Sequence, residues 1–430
     1  MKTLKIGLLG LGNVGSGTYR ILALNADKIS AAAGCKVIIS KVLVNTISKK
    51  RELDLPAGLL TENAADILND PDIDIVVELI GGIHPAFDYM LEALKNKKHV
   101  VTANKAVIAT LGDELSSAAA ASNVLLKYEA SVAGGIPILN ALSTALAGNE
   151  FDEIVGIING TTNYILTQMT DFGLNYDDVL KDAQAKGFAE ADPSSDVEGE
   201  DAAYKLSILI KTAFGLKIPP LSIPREGITK VSRDDIAYAS QFGYKIKLLA
   251  TAKKIGFNLE CHVQPALIPV SHPLASVSNE FNALYIKGNA VEDLMFYGKG
   301  AGAMPTGSAI IGDIIAIARK MDCLSCCTAT KSAPSKLVFA GEGKSMYYIN
   351  FLVADVPGVL GKVSTAFGDH GISIESVMQR SKGRKDGGDV PVIYILHEAS
   401  REQLDQALFE IGGYPFIKEV RSILRVEPLN

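Results

Sequence analysis

Residues 187–205, GFAEADPSSDVEGEDAAYK, hold six carboxylates and a single cation, Lys205, at the far end. Asp201 and Lys205 stand four apart, which on a helix puts them on one face about a turn apart. Glu190, Asp192, Asp196 and Glu198 precede that helix, and ADPSSD supplies turn residues able to fold the acidic loop back. An acidic pocket suits a substrate bearing an ammonium group. A lysine suits proton exchange with an alcohol or carbonyl oxygen. Burial tunes a lysine toward neutral pH, whereas neighbouring carboxylates oppose that. On composition alone the stretch also reads as a solvated acidic loop ending in an exposed ion pair of little energetic value.

A second constellation opens the chain. Gly10, Leu11, Gly12, Asn13, Val14 and Gly15 spell GxGxxG. The first glycine allows a tight turn and the second lets backbone approach a pyrophosphate. The third lets a helix pack close on a strand, and the helix N-terminus offers N–H groups to the phosphates. The turn lies between the apolar LKIGLLG and the helical SGTYRILALN, the context that a dinucleotide site requires and a plain glycine turn does not. An acid at the end of the second strand would hold a ribose 2′-hydroxyl; here Asn45 stands there, followed by Lys49, Lys50 and Arg51. No acid and three cations favour a 2′-phosphate, hence NADP, with NAD the alternative. The same cations also read as an ordinary solvated turn.

These residues need elements to place them. Apolar runs at 3–9, 36–45, 72–82, 98–105 and 123–132 alternate with helical patterns, which predicts a Rossmann-type doubly wound parallel sheet over residues 1–150. Residues 151–320 begin with helices, one from about 199 to 214, and continue as strand-like runs. That order predicts an α+β domain, closed by the glycine-rich loop 297–307 and a helix over 308–320 that packs back on the first domain. Residues 321–345, small and polar, read as a linker. Its Cys323, Cys326 and Cys327 offer zinc too few ligands and read as small linker residues. From 346 to 430 the order is βαββαβ, a ferredoxin-like unit, and the fold class is α/β throughout.

Composition narrows the function. With 430 residues, two or three domains are expected. The net charge of −6 argues against a nucleic-acid surface. No run of 18 apolar residues appears, so no membrane span is expected; SAIIGDIIAIA, cut by Asp313, fits a buried helix better. The basic start is broken at once by glycines, unlike a signal peptide, and five cysteines, an odd number, point to the reducing cytoplasm. His84 reads as a turn residue, and Glu398 with the other C-terminal acids as surface.

The spelling of residues 183–205 closely resembles the signature of homoserine dehydrogenases. The matching positions are Ala183, Gly187, Phe188, Asp192, Pro193, Asp196, Val197, Gly199, Asp201 and Lys205. The resemblance extends through TANKA (102–106), YEASVAGGIPI (128–138), INGTTNYIL (158–166) and GKGAGAMPTGSAIIGD (298–313). Residues 351–380 resemble an ACT domain, an amino-acid-sensing module, so the whole chain is similar to the longer bacterial members of the family.

The resemblance implies roles. Lys205 would be the general acid/base, and Lys105 would lie between nicotinamide and substrate. Asp201 and Glu190 would grip the substrate ammonium, with Gly187 and Asp196 in the same substrate-binding stretch. Thr102, the GLGNV turn and Gly302 would touch the cofactor. Glu129, with the carbonyls of Val132, Gly134 and Ile136, resembles the family's sodium site, and oxygen ligands suit a hard cation. The family often places an arginine where this chain has Asn45, which sets the NADP reading against NAD. The implied reaction is reduction of L-aspartate 4-semialdehyde to L-homoserine in threonine, methionine and isoleucine biosynthesis.

The tail suggests regulation. In ADVPGVLGKV (354–363) a strand end and a turn with Pro357 and Gly358 lead into a helix, whose N-terminus offers N–H groups to a ligand carboxylate. Asp355 would accept from the ligand ammonium, and Ile372 lies on the opposite strand. The resemblance makes L-threonine the expected effector. Edge-to-edge pairing of two ACT units would cover exposed strand edges, so a homodimer or homotetramer is expected. Following a linker, the tail is expected to be separable, leaving a folded and active enzyme without 346–430. A non-catalytic regulator of the same fold is a competing class, and retention of both Lys105 and Lys205 argues against it. A dehydrogenase for another amino acid is argued against by the 183–205 spelling.

Overall fold

The structure, a computed structural model, describes residues 3–321, 336–379 and 388–428. Cys323, Cys326 and Cys327 lie outside the described residues.

The chain begins β1 (Thr3–Leu9), α1 (Asn13–Leu24), α2 (Ala26–Ala33), β2 (Lys36–Leu43), β3 (Leu60–Thr61) and α3 (Ala65–Leu68). It continues with β4 (Ile75–Glu78), α4 (Ala86–Lys95), β5 (His99–Thr102), α5 (Lys105–Ala121), β6 (Leu126–Lys127) and α6 (Ile138–Asn140). Then come β7 (Phe151–Ile157), α7 (Gly160–Phe172), α8 (Tyr176–Ala185), α9 (Ser194–Val197), α10 (Glu200–Phe214) and α11 (Arg233–Gln241). Strands β8 (Tyr244–Ile255), β9 (Asn258–Pro269), β10 (Phe281–Gly288) and β11 (Glu292–Lys299) lead to α12 (Ala303–Met321). The last elements are β12 (Val338–Gly341), β13 (Ser345–Ala354), α13 (Val359–Asp369), β14 (Ile374–Gln379), β15 (Asp389–Ala399), α14 (Arg401–Gly412) and β16 (Ile417–Val426).

Two compact units result. The first comprises Met1–Phe151, Tyr204–Ser222 and Lys287–Lys336; the second Asp152–Ala203, Ile223–Ile286 and Leu337–Asn430. The boundary thus runs through α10, after Ala203.

In the first unit six strands run in the order β3-β2-β1-β4-β5-β6, every pair parallel. β4 and β5 are buried along their whole lengths, as strands covered on both faces must be. The order reverses between β1 and β4, so the crevice beyond their carboxyl ends is where such sheets hold ligands. Helix α12 starts at Ala303, earlier than the apolar run alone predicts. It lies close against α1: a Cβ on Gly17 would stand 2.0 Å from the Ala303 carbonyl oxygen. Its apolar face, Ile310, Ile314 and Ile317, is fully buried in the core under β1 and β4.

In the second unit the strands run β10-β7-β8-β9-β16-β13-β15-β14. The pairings β7–β8 and β8–β9 are antiparallel. The βαββαβ unit of residues 345–426 has its own core, including Phe351, Phe367, Tyr394 and Leu404. It also joins the sheet of the rest of the unit through β16, which pairs parallel with β9 at Arg425–Ala266 and Val426–Leu267.

Two expectations are corrected here. The stretch 321–345 is not all linker: β12 pairs parallel with β9, Val338 opposite Asn258 and Phe339 opposite Leu259. LVFA has enough strand character to add to an edge that β16 leaves open. Nor are all the C-terminal acids surface groups. Glu398 is exposed, but Glu427 is largely buried, 3.3 Å from His262 Nε2. Among the described residues no helix is long and apolar enough to cross a membrane.

Candidate active site

In the first unit the glycine turn follows β1 directly. Gly10 has φ +102°, and a side chain there would meet the Leu79 carbonyl, so only glycine makes this turn cheaply. A Cβ on Gly15 would lie 2.3 Å from the Gly10 carbonyl oxygen, which is what lets α1 begin against the strand. At Gly12, by contrast, a Cβ would meet nothing within 4 Å. Gly12 is the N-cap of α1 and no side chain caps that end, so no side-chain cap occupies the first N–H groups of the helix, the kind of end at which phosphates bind. Leu11, Asn13 and Val14 complete the turn.

Beyond β4, the carboxylate of Glu78 organises the second wall. Its Oε1 accepts from the N–H groups of Ile80 (2.7 Å) and Gly81 (3.2 Å). Its Oε2 accepts from the Thr102 hydroxyl at 2.6 Å, because the β4–β5 register sets Glu78 opposite Thr102. The Thr102 hydroxyl also accepts from the Asn104 N–H, and Asn104 caps α5 by accepting from Val107 N–H. Thr102 is fully buried, so its hydroxyl serves the turn. Lys105 follows as the first residue of α5, half-buried. A cation at a helix N-terminus opposes the macrodipole, so this placement does not serve helix stability. Gly302, with φ +118°, lies between β11 and α12.

Glu129 is buried. Its two carboxylate oxygens accept from the N–H groups of Leu139 (2.8 Å) and Asn140 (2.6 Å). Burial raises its pKa despite those two bonds. Asp313 accepts from the Glu129 N–H at 2.9 Å, and burial pushes its carboxyl up to about 7. Both carboxylates line a cavity of about 130 Å³ with Lys127, Tyr128 and Asn140. Val132, Gly134 and Ile136, in the turn between Glu129 and α6, are buried as well. Among the described residues no cluster of three or more His, Cys, Asp or Glu could hold a metal ion.

In the second unit the acidic segment folds back on α7. Asn159 Nδ2 donates to Asp196 Oδ1 at 2.7 Å and to Asp201 Oδ2 at 2.8 Å. The Thr161 hydroxyl lies 2.7 Å from the Phe188 carbonyl oxygen and 3.0 Å from Asp196 Oδ2. Gln184 Nε2 donates to the carbonyl of Glu190 at 3.1 Å, holding the loop whose Glu190 side chain is exposed. Gly187, φ +75°, lets the chain leave α8. Asp201 is only 2% exposed, a buried carboxylate in the first turn of α10. Lys205, a turn further along α10, is half-buried.

Sequence reasoning missed Glu78, Asn104 and Asn159. Asn159 stands inside INGTTNYIL, noticed only as part of a resemblance. Asp313 had shown itself as the acid interrupting an apolar helix.

In the C-terminal βαββαβ unit, Gly358, φ +90°, is the N-cap of α13 without a side-chain cap. Asp355 is exposed and accepts from Gln379 Nε2 at 3.2 Å. Ile372 is 2% exposed, so its side chain belongs to the core and only its backbone can meet a ligand.

Comparisons with known proteins agree along the whole chain. Residues 10–129 match the model of the homoserine dehydrogenase NAD-binding domain, residues 137–315 that of homoserine dehydrogenase, and residues 347–413 that of the ACT domain. The homoserine dehydrogenase of Bacillus subtilis is 41% identical over 431 residues, 99% of either chain. That of Synechocystis sp. is 44% identical over 438 residues, again 99% of each. The crystal structure of a homoserine dehydrogenase from Thiobacillus denitrificans, 38% identical, covers 100% of this chain and 99% of its own with a TM-score of 0.92. A hyperthermophilic archaeal homoserine dehydrogenase solved in complex with NADPH, 25% identical, covers 74% of this chain and 98% of its own at a TM-score of 0.62.

Proposed function

The chain belongs to the homoserine dehydrogenase family of NAD(P)-dependent oxidoreductases, and from that premise we propose how its residues interconvert L-aspartate 4-semialdehyde and L-homoserine. The observation that carries the reading is the pair Asp196 and Asp201 on one amide, with Lys205 a turn along the same helix as Asp201. Asp201 and Glu190 hold the substrate ammonium, with Asp196 and Gly187 in the same substrate-binding pocket. Lys205 delivers a proton to the oxygen of the aldehyde as it becomes an alkoxide, and takes it back in the reverse direction. Lys105 orients the reacting carbon and stabilises charge on its oxygen. A bound reduced nicotinamide supplies the hydride.

The cofactor residues are Gly10 to Gly15, Thr102 through its backbone, Lys105 and Gly302. We infer a preference for NADP. No carboxylate stands at position 45. Arg51 donates to the carbonyls of Thr46 (2.7 Å), Ile47 (3.1 Å) and Lys49 (2.8 Å), so it shapes the loop, while exposed Lys49 and Lys50 bring positive charge to it. Glu129, with the carbonyls of Val132, Gly134 and Ile136, supplies oxygen donors that fit a sodium ion, and a cation there would relieve the cost of burying that carboxylate. L-threonine is the inferred effector at Asp355, Gly358 and the backbone of Ile372. β14 ends the second sheet, so pairing of two copies along it would cover that edge and give at least a dimer.

The test is oxidation of NADPH and of NADH with aspartate semialdehyde, set beside succinate semialdehyde, which lacks the ammonium. Strong preference for the amino acid is expected. Equal turnover of the two aldehydes would remove the role of the acidic pocket.

A further inference from the structure

We infer that Asn159 is a positioning residue that holds the Asp196 and Asp201 carboxylates as one pair facing the substrate ammonium; this rests on the reading of the acidic pocket above. The orientation of its amide is dictated from the helix side. Asn159 Oδ1 accepts from the N–H of Thr162 and from the Thr162 hydroxyl, both at 2.9 Å, as the N-cap of α7. With the oxygen turned to the helix, Nδ2 must point away from it, and there it meets Asp196 and Asp201. Asn159 is 5% exposed and Asp201 2%, so the bond between them is not readily replaced by water.

The start of α7 is itself pinned. A Cβ on Gly160 would lie 2.8 Å from the Glu280 carbonyl oxygen, so the residue that follows Asn159 packs directly on backbone.

The chemistry explains why an amide stands here. Two carboxylate oxygens within hydrogen-bond reach of one nitrogen lie close enough to repel. A lysine or arginine at this place would hold them apart but cancel the charge the ammonium needs. An amide gives one N–H to each oxygen and cancels nothing. Asn159 therefore keeps two negative charges available and fixed in direction without touching the substrate.

The experiment is steady-state oxidation by full-length enzyme of homoserine and of 4-hydroxybutyrate, which lacks the ammonium, for wild type, Asn159→Ser and Asn159→Asp. Serine and aspartate are both good N-caps, so both variants keep α7 while losing the shared donor. In each, kcat/KM for homoserine should fall roughly ten- to a hundredfold, mostly through KM, since a hydrogen bond to a charged group is lost. The KM for the dinucleotide and kcat/KM for 4-hydroxybutyrate should stay within about threefold. Loss confined to homoserine in both variants supports the inference. Homoserine kinetics like wild type in either, or equal loss for both substrates, overturns it. A wild type that does not favour homoserine over 4-hydroxybutyrate would instead overturn the reading of the pocket, which separates the two failures.

Discussion

Lys205 lies half-buried on α10, a turn beyond a fully buried acid, and proton transfer is the role proposed for it. Lys205→Ala should lower kcat by about two to four orders of magnitude, the usual worth of a positioned acid/base. Dinucleotide binding, read by nicotinamide fluorescence, should persist, because the turn at 10–15 is untouched. Turnover near that of wild type would sink the assignment. Asn45 is exposed beyond the end of β2, where a ribose-binding acid would stand. Asn45→Asp should attract a ribose hydroxyl, repel a 2′-phosphate and move preference toward NAD. An unchanged ratio of kcat/KM for NADPH and NADH would show that this strand end does not read the ribose.

Among the elements, β8 carries an unusual burden. Lys247 is 4% exposed, and its Nζ donates to Asn163 Oδ1 at 2.9 Å and to the Val277 carbonyl. Burial first, and then the charge of Lys245, lower its pKa to about 8 against the partial opposition of Asp171. Between about 8 and the ordinary 10.5 the unfolded chain holds a proton that the folded chain sheds, so stability rises with pH across that window. Below it the folded protein bears the full cost of a buried ammonium. Lys247→Met lacks that slope, so wild type should gain about 2 kcal/mol on it between pH ~8 and ~9.5 in urea melts. A pH-independent difference would mean the amine is charged throughout. Helix α11 presents Asp235, whose Oδ1 accepts from Tyr348 (2.9 Å), Asn350 (2.8 Å) and Ser422 (2.6 Å), all on β13 and β16. Asp235→Ala strands three buried donors and should cost about 3–5 kcal/mol. A loss under about 1 kcal/mol would show that water replaces the carboxylate.

At the scale of the molecule, the C-terminal unit is not the separable tail its position suggests. β16 bonds to β9, Asp235 is satisfied by C-terminal donors, and Arg425 donates to Gln264 and Glu342 at 2.7 Å each. Removing residues 346–430 would uncover the β9 edge and leave Asp235 without those partners, so truncation is expected to cost folding. A point substitution is the cleaner test of regulation. Asp355 is exposed and remote in sequence from the residues given catalytic roles. Asp355→Ala should raise the threonine concentration needed for half inhibition by roughly tenfold or more, while the rate without threonine is unchanged. Equal sensitivity of variant and wild type would place the effector elsewhere, and indifference of wild type to millimolar threonine would remove it.

Local patterns decide much about this chain. The glycine spacing at 10–15, alternating apolar runs and helical periods up to residue 132, and the βαββαβ order after 345 are each written within a few turns of chain. They suffice for the fold class, and the spelling of 183–205 suffices for the family. The strand at 338–341 was hidden because a short apolar run becomes a strand only when an edge is there to receive it. Other features exist only after folding. Glu78 meets Thr102 because β4 and β5 settle in one register. Asn159 meets acids 37 and 42 residues away, and Asp235 finds donors 113, 115 and 187 residues away. Burial turns Lys247 from a surface-type residue into a cation with a lowered pKa. Propensity and turn chemistry act between near neighbours, whereas register, burial and the sharing of one donor by two acids depend on which distant segments pack together.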